Sequence, residues 1–133
     1  MPNPCAGVTS REDCQVETRL IPPRWSLVRI ETECGLVGWG EPTLEGQAAS
    51  ACQAVNQFAR VLIGEDPRRI EHLWQSLYRG GFYRGGPIPR SAISGIEQAL
   101  WDIVGKHDDT PVYNRSVARC ATKIRMYCHS GGG

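Results

Sequence analysis

The chain has 133 residues, of which 41% are hydrophobic and 22% charged, an ordinary globular composition. With 15 Lys and Arg against 14 Asp and Glu the net charge is +1, so no overall field would steer the protein to nucleic acid or to an anionic membrane. The length suits one domain and excludes a complete barrel of eight strand and helix pairs, which takes about 250 residues.

The first half of the chain predicts a small sheet. Alternating or β-branched patterns predict strands at residues 15–20, 25–32 and 36–39. Pro22 and Pro23 are expected to interrupt pairing between the first two strands, because proline has no backbone N–H. Gly35 can adopt the positive φ of a tight hairpin turn. We therefore expect a three-stranded antiparallel meander.

After Pro42 the apolar residues recur at helical spacing in three segments. The stripes are Ala51, Cys52, Val55, Phe58, Ala59 and Leu62, then Ile70, Leu73, Trp74, Leu77 and Tyr78, then seven apolar residues within 89–106. Gly64 is placed to end the first helix, and Asp66 with Pro67 is expected to cap and begin the second. Strands followed by helices predict an α+β domain in which a helical bundle packs on one face of the sheet.

The cysteines and the first residues give the expected compartment. Six cysteines stand in no C-x-x-C spacing, so no structural zinc site is predicted. The amino-terminal residues lack the apolar run of a secretory signal, so free thiols and a cytoplasmic location are expected. No run approaches the 18 or more apolar residues of a membrane-spanning helix.

Candidate catalytic groups are few, and neither a catalytic residue nor a metal site is predicted. Asp108 and Asp109 fall in a predicted loop, where a solvated pair is expected. The histidines have no evident nucleophile partner. Glu41 differs because it follows Gly38 and Gly40 at a strand end, where glycines let backbone or ligand approach closely. A structural hydrogen-bonding role for Glu41 is at least as well supported as a role in ligand binding.

The segment RGGFYRGGP, residues 79–87, is the most unusual stretch. Two RGG units suggest single-stranded nucleic-acid binding, but such segments are normally disordered and this charge is balanced. A phosphate-binding loop would need G-x-x-x-x-G-K-[ST], which is absent. The residues alone favour a structural role, in which glycines allow a cramped connection while Phe82 and Tyr83 pack beneath it.

Three longer stretches are more specific: TRLIPPRWSLVRIETECGLVGWGEPTLEG, LIGEDPRRIEHLWQSLYRGGFYRGGPI and SAISGIEQALWDIVGK. Together they resemble the amino-terminal domain of the enolase superfamily, most closely that of galactonate dehydratases in the mandelate racemase subgroup. The resemblance covers residues 18–106 and extends more weakly to 127. It implies a cap domain at 14–107. Residues 1–13 carry two prolines, a glycine and mixed polar groups without a period, and this composition predicts a mobile tail there.

The resemblance also implies where the chemistry lies. In this family a separate barrel provides the base that removes a proton beside a sugar-acid carboxylate, while Mg²⁺ stabilises the enediolate. Residues 108–133 are then expected to be a connection and, at 124–128, the first strand of a truncated barrel. This chain would hold no cofactor itself and would be inactive alone, and a sugar acid would bind only when a barrel is present.

Substrate-proximal positions carry over only to matching loops. The resemblance assigns residues 22–25, residues 42–46 and the FYRGGP segment to the cap face. The candidate residues are Pro23, Arg24, Trp25, Thr43, Glu45, Tyr83 and Arg84. The alternatives are a non-catalytic interaction module that self-associates as a homo-oligomer through exposed apolar surface, or the remnant of a decayed gene.

Overall fold

The computed structural model describes residues 16–116 and residue 126. Its elements are β1 (Glu17–Ile21), β2 (Trp25–Glu31), β3 (Val37–Gly40), α1 (Ala48–Leu62), α2 (Ile70–Arg79), α3 (Pro87–His107) and α4 (Val112–Ser116). The strands form an antiparallel sheet in the order β1-β2-β3. The predicted α+β meander with helices is therefore confirmed. The predicted tail at 1–13 lies outside the described residues, as does the predicted strand at 124–128 except for Met126.

The two hairpins of the sheet turn differently. Pairing between β1 and β2 continues to Ile21 opposite Trp25, directly beside the turn. Pro22 and Pro23, joined by a cis peptide bond, form the turn between the two strands. The expectation that they interrupt the pairing is wrong, because a residue in the turn needs no backbone N–H for the ladder. Between β2 and β3, Gly35 adopts a φ of 82°, as the sequence predicts.

The core lies between the sheet and the helices. Along β2, Val28 and Ile30 are fully buried, and they alternate with partly exposed residues on the other face. Helix α3 is the central helix, with nine buried residues along its 21. Helix α1 buries four residues of its predicted stripe, while Phe58 and Ala59 are partly buried against the core, and the helix is followed by Gly64 at a φ of 82°. The predicted helix end at Gly64 is therefore confirmed.

Strand β3 and helix α3 approach at backbone distance. A Cβ atom on Gly40 would lie 2.9 Å from the Gly95 carbonyl carbon, and one on Gly38 would lie 3.0 Å from the Ala99 carbonyl carbon. The two strand glycines thus allow close approach of the α3 backbone, which is one of the two alternatives, backbone or ligand, that the sequence left open. The pairing of Gly38 with Ala99 and of Gly40 with Gly95 makes α3 run antiparallel to β3.

Side chains of α3 also cover the open edge of β3. Asp102 Oδ2 accepts from Trp39 N at 3.0 Å, Gln98 Oε1 accepts from Glu41 N at 3.0 Å, and Lys106 Nζ donates to Val37 O at 2.7 Å. The three helix residues are four apart, so they stand in one row. This row satisfies backbone groups that an edge strand otherwise leaves unpaired. The backbone of Glu41 thus has the structural hydrogen bond considered above.

The start of α2 differs from the prediction. The helix begins at Ile70 and not near Pro67. Asp66 Oδ1 accepts the backbone N–H of Arg68 at 3.0 Å, which closes a local turn before the helix instead of capping it. The hydrogen bond from the Arg68 guanidinium holds the pKa of the Asp66 carboxyl below its ordinary value. The apolar stripe from Ile70 onward is buried as predicted, with its aromatic members partly exposed.

The expectation of a solvated acidic pair is wrong at Asp108. His107 Nδ1 lies 2.8 Å from Asp108 Oδ1, and the Arg115 guanidinium contacts Oδ2. The hydrogen bond with His107, followed by the charge of Arg115, holds the pKa of Asp108 below its ordinary value. Packing of α4 against the end of α3 brings Arg115 to this carboxylate. Asp109 is exposed, as expected.

The two cysteines within residues 16–116 differ in state. Cys52 is a buried free thiol on α1, as expected. Cys34 is disulfide-bonded, so the expectation of free thiols is wrong there. Within residues 16–116, no helix has the length and apolarity needed to cross a bilayer.

Candidate functional site

Two of the three predicted cap loops meet at one end of the sheet. Residues 22–25 form the turn into β2, and residues 42–46 follow β3 toward α1. Arg24 Nη1 lies 2.8 Å from Glu45 Oε1, so an ion pair joins the loops. Because β2 and β3 are antiparallel neighbours, the start of one lies beside the end of the other. The sheet topology therefore brings together positions about twenty residues apart in sequence.

Thr43 connects the second loop to β2. Its Oγ1 accepts the backbone N–H of Ser26 at 2.9 Å and lies 3.3 Å from the Ser26 carbonyl oxygen, to which it can donate. Ser26 is fully buried, so its N–H depends on a protein partner. Thr43 is therefore a positioning residue for the loop.

We expect Thr43→Val to lower the free energy of unfolding by about 1–2 kcal/mol, because the buried Ser26 N–H would lose its acceptor. Urea unfolding followed by circular dichroism would measure the change. Thr18→Val is the matched control, since the Thr18 hydroxyl makes only an exposed 3.4 Å contact with Asn56. Equal stability of the two variants would contradict the positioning role of Thr43.

A cavity of about 390 Å³ opens between the β1–β2 turn and the start of α1. Its walls are formed by Leu20, Ile21, Pro22, Pro23, Arg24, Trp25, Gly46, Ala48 and Ala49. Three predicted site residues, Pro23, Arg24 and Trp25, thus line one cavity. Most of the wall is apolar, and Arg24 is its charged residue.

The Arg24 guanidinium at this cavity can exchange its ion-pair partner. The Arg24 and Glu45 side chains are 61% and 77% exposed, so their ion pair contributes little to stability. The Arg24 guanidinium carbon also lies 5.8 Å from the Trp25 ring centroid, where the aromatic face favours a cation. The guanidinium is thus held near the cavity and remains able to take a carboxylate of a ligand in place of Glu45.

The third predicted loop stands apart from this pair. Phe82 and Tyr83 are 94% and 91% exposed, so the expectation that they pack beneath the connection is wrong. Gly85 and Gly86 have φ values of 82° and 89° and bring the chain directly into α3, which leaves these rings outside the core. Among the described residues, neither a hydrogen bond nor an ion pair joins Tyr83 or Arg84 to the other two loops.

Sequence reasoning missed part of the cavity wall. Leu20 and Ile21, at the end of β1, and Ala48 and Ala49, at the start of α1, line it as well. The signal in the sequence was the apolar pair Leu20 and Ile21 directly before two prolines. In the structure these two side chains are 56% and 44% exposed. In the described part of the chain, three or more His, Cys, Asp or Glu side chains nowhere gather in a group fit to hold a metal ion. These residues therefore do not fit Mg²⁺, which needs carboxylate oxygens.

Sequence similarity points to one family. The family described as mandelate racemase / muconate lactonizing enzyme, N-terminal domain, matches residues 16–114. The chain is 52% identical over 118 residues to D-galactonate dehydratase of Ralstonia nicotianae and, to the same extent, to that of Cronobacter sakazakii. These alignments cover 89% of this chain and 31% of each relative. The chain thus spans about a third of the length of the curated relatives it matches.

Solved structures agree with this assignment. An enolase from Pantoea ananatis with bound D-gluconate and Mg superposes with a TM-score of 0.76 at 41% identity, over 81% of this chain and 27% of that one. An enolase superfamily member from Salmonella Typhimurium superposes with a TM-score of 0.81 at 30% identity, over 86% of this chain and 31% of that one.

Proposed function

Because this chain belongs to the mandelate racemase / muconate lactonizing enzyme N-terminal domain family of the enolase superfamily, we propose that it is the substrate-capping domain of a sugar-acid dehydratase of the galactonate dehydratase type. The activity of the curated relatives and the ligand of the Pantoea structure support a sugar acid as the substrate.

One observation in this chain carries the proposal: the Arg24–Glu45 ion pair joins two loops beside a cavity. A cap that selects a sugar acid needs a wall that excludes water and a cation that orients the carboxylate. Arg24 supplies the cation, while Pro23 and Trp25 supply apolar wall. Thr43 holds the second loop in position through Ser26.

In this proposal the barrel domain would perform the chemistry, and this chain would bind the substrate. Removal of the proton beside the carboxylate and loss of the neighbouring hydroxyl as water would be performed by barrel residues. Mg²⁺, when bound there, would stabilise the enediolate. The residues of this chain would bind and orient the substrate and exclude water from it. Glu45 would release Arg24 when the substrate carboxylate arrives.

A domain exchange tests this proposal. Residues 16–114 would replace the matching domain of the Ralstonia relative, and formation of a 2-keto-3-deoxy sugar acid from D-galactonate with Mg²⁺ would be measured. We expect the chimera to turn over and the 133-residue chain alone to give no product. A folded chimera without activity, or Mg²⁺-dependent turnover by the chain alone, would contradict the division of labour.

We expect Arg24→Ala in that chimera to raise KM for D-galactonate about tenfold with a smaller change in kcat, because one charge-assisted contact to the carboxylate is lost. Arg60→Ala is the control, since Arg60 is an exposed arginine in the last turn of α1. Steady-state kinetics would show the split. An Arg24→Ala chimera with the KM of the Arg60→Ala chimera would show that the guanidinium does not bind substrate.

A further inference from the structure

The second cap loop, residues 42–46, is buried at its root and exposed at its tip. Pro42 is fully buried, whereas Glu45 and Gly46 are exposed. The root packs against helix α3. Among the described residues that line the cavity beside Arg24, none belongs to α3. An effect of α3 on the cavity can therefore reach it through the root of this loop.

Gly95 on α3 makes room for Pro42. A Cβ atom at position 95 would lie 2.7 Å from Pro42 N, 2.8 Å from Pro42 Cβ and 2.9 Å from Pro42 Cα. Protein atoms do not pack that closely, so a larger residue fits at position 95 only if Pro42 moves. Both residues are buried, so the contact is made without water. The absence of a side chain at Gly95 therefore determines how closely the root approaches α3.

Gln98 holds the residue before Pro42 by a hydrogen bond. Its Oε1 accepts the backbone N–H of Glu41 at 3.0 Å, and its Nε2 donates to Ser94 Oγ at 3.3 Å. The bond to Ser94 fixes which end of the amide faces Glu41. Gln98 lies three residues after Gly95, so the two are neighbours on one side of the helix. One side of α3 thus contacts the root at two successive residues.

The position of the root determines two contacts farther along the loop. Thr43 directly follows Pro42, and its Oγ1 accepts the N–H of Ser26 at 2.9 Å. Two residues later, Glu45 Oε1 lies 2.8 Å from Arg24 Nη1. A shift of Pro42 would change both contacts, because the chain between them is short. Misplacement of a binding group by about 1 Å is enough to weaken productive binding strongly.

We propose that α3 sets the position of the second cap loop, with Gly95 and Gln98 as positioning residues, and that this position sets the affinity of the cap for a sugar acid. Neither residue would touch the substrate, since both act through the root of the loop. A methyl group at Gly95 would displace Pro42, and leucine at Gln98 would release the Glu41 N–H. The link to affinity rests on the proposed function, whereas the anchoring of the loop does not.

Kinetics of the Ralstonia chimera test the link to affinity. We expect Gly95→Ala to raise KM for D-galactonate about tenfold and Gln98→Leu about fivefold, with kcat within about twofold of the wild type. Gln98→Glu keeps an acceptor oxygen and should return KM to within about twofold of the wild type. Gly105→Ala is the matched control: its Cβ would crowd Thr110 O at 3.1 Å at the other end of α3. It should lower stability without changing KM.

Amide exchange tests the anchoring in the 133-residue chain, where no barrel is needed. The Ser26 N–H reports on the loop because its acceptor is Thr43. In Gln98→Leu we expect this amide to exchange about fivefold faster relative to the Val55 amide of the core helix α1. Gln57→Leu replaces an exposed residue of α1 and should leave the exchange at Ser26 unchanged. NMR would resolve the single amides.

The two experiments separate this inference from the proposed function. A wild-type chimera without turnover would contradict the proposed function, and exchange at Ser26 would then decide the anchoring alone. Unchanged exchange at Ser26 in Gln98→Leu would overturn the anchoring. In an active chimera, a Gln98→Leu variant with the KM of the Gly105→Ala variant would overturn the link to affinity. Circular dichroism would confirm folding, and Gln98→Leu remains the test if Gly95→Ala does not fold.

Discussion

We expect Gly40→Ala to destabilise the protein more than the addition of one methyl group at any other position of this sheet. The new Cβ would lie 2.9 Å from the carbonyl carbon of Gly95 and 3.0 Å from the amide nitrogen of Ala99, and its contact with the Gly95 carbonyl oxygen would be closer still. All three atoms are backbone, so no side chain can rotate away. We expect the free energy of unfolding to fall by about 3 kcal/mol or more, a large share of the stability of a small domain.

Urea unfolding monitored by circular dichroism would measure this loss. Gly81→Ala is the matched control: Gly81 is exposed, and a Cβ there would have its nearest contact at 3.4 Å, with Tyr83 O. We expect that control to stay within about 0.5 kcal/mol of the wild type. A Gly40→Ala protein as stable as the Gly81→Ala protein would show that α3 can move off the sheet at little cost.

Asp102→Ala should have the second-largest effect, because Asp102 links the edge of the sheet to the helix. Its Oδ2 accepts from Trp39 N at 3.0 Å and from Lys106 Nζ at 2.8 Å. The alanine variant leaves both donors without this acceptor, and we expect a loss of about 2 kcal/mol in the free energy of unfolding. The carboxylate is one third exposed, which limits the loss because water reaches part of the site.

Asp102→Asn separates the hydrogen bond from the charge. The amide keeps an oxygen for Trp39 N and loses only the ion pair with Lys106, which is partly exposed and therefore screened by water. We expect that variant to lose less than about 1 kcal/mol in the same urea experiment. If alanine and asparagine were equally destabilising, the backbone contact at Trp39 would not be the source of the effect.

The fold could be predicted almost wholly from local pattern. The β-branched and aromatic residues at 25–32 predicted strand β2, and the helical period from Ala51 to Leu62 predicted the face that α1 turns toward the core. Element ends were less predictable, because they depend on side-chain contacts. Asp66 has the chemistry of a helix cap, yet its carboxylate binds the N–H of Arg68 in a turn, and the helix starts later.

The candidate site was predicted only in part. Family resemblance selected Arg24 and Glu45, and the sheet topology places them 2.8 Å apart. The packing expected of Tyr83 failed, because glycines allow a tight connection but do not determine which way the neighbouring rings point. The contribution of Ala48 to the cavity could not be read from sequence, since it depends on where α1 starts relative to the β1–β2 turn.

By itself the sequence determined the order of the elements, the buried faces and the family, because periodicity and composition act through neighbours along the chain. The tertiary structure decided which strand meets which helix and how closely. Gln98, Asp102 and Lys106 bind backbone groups of β3 and of Glu41 directly after it, nearly sixty residues away or farther along the chain. These contacts form only when the backbone of α3 packs directly against Gly38 and Gly40. The local sequence of either segment does not determine how closely the two segments approach.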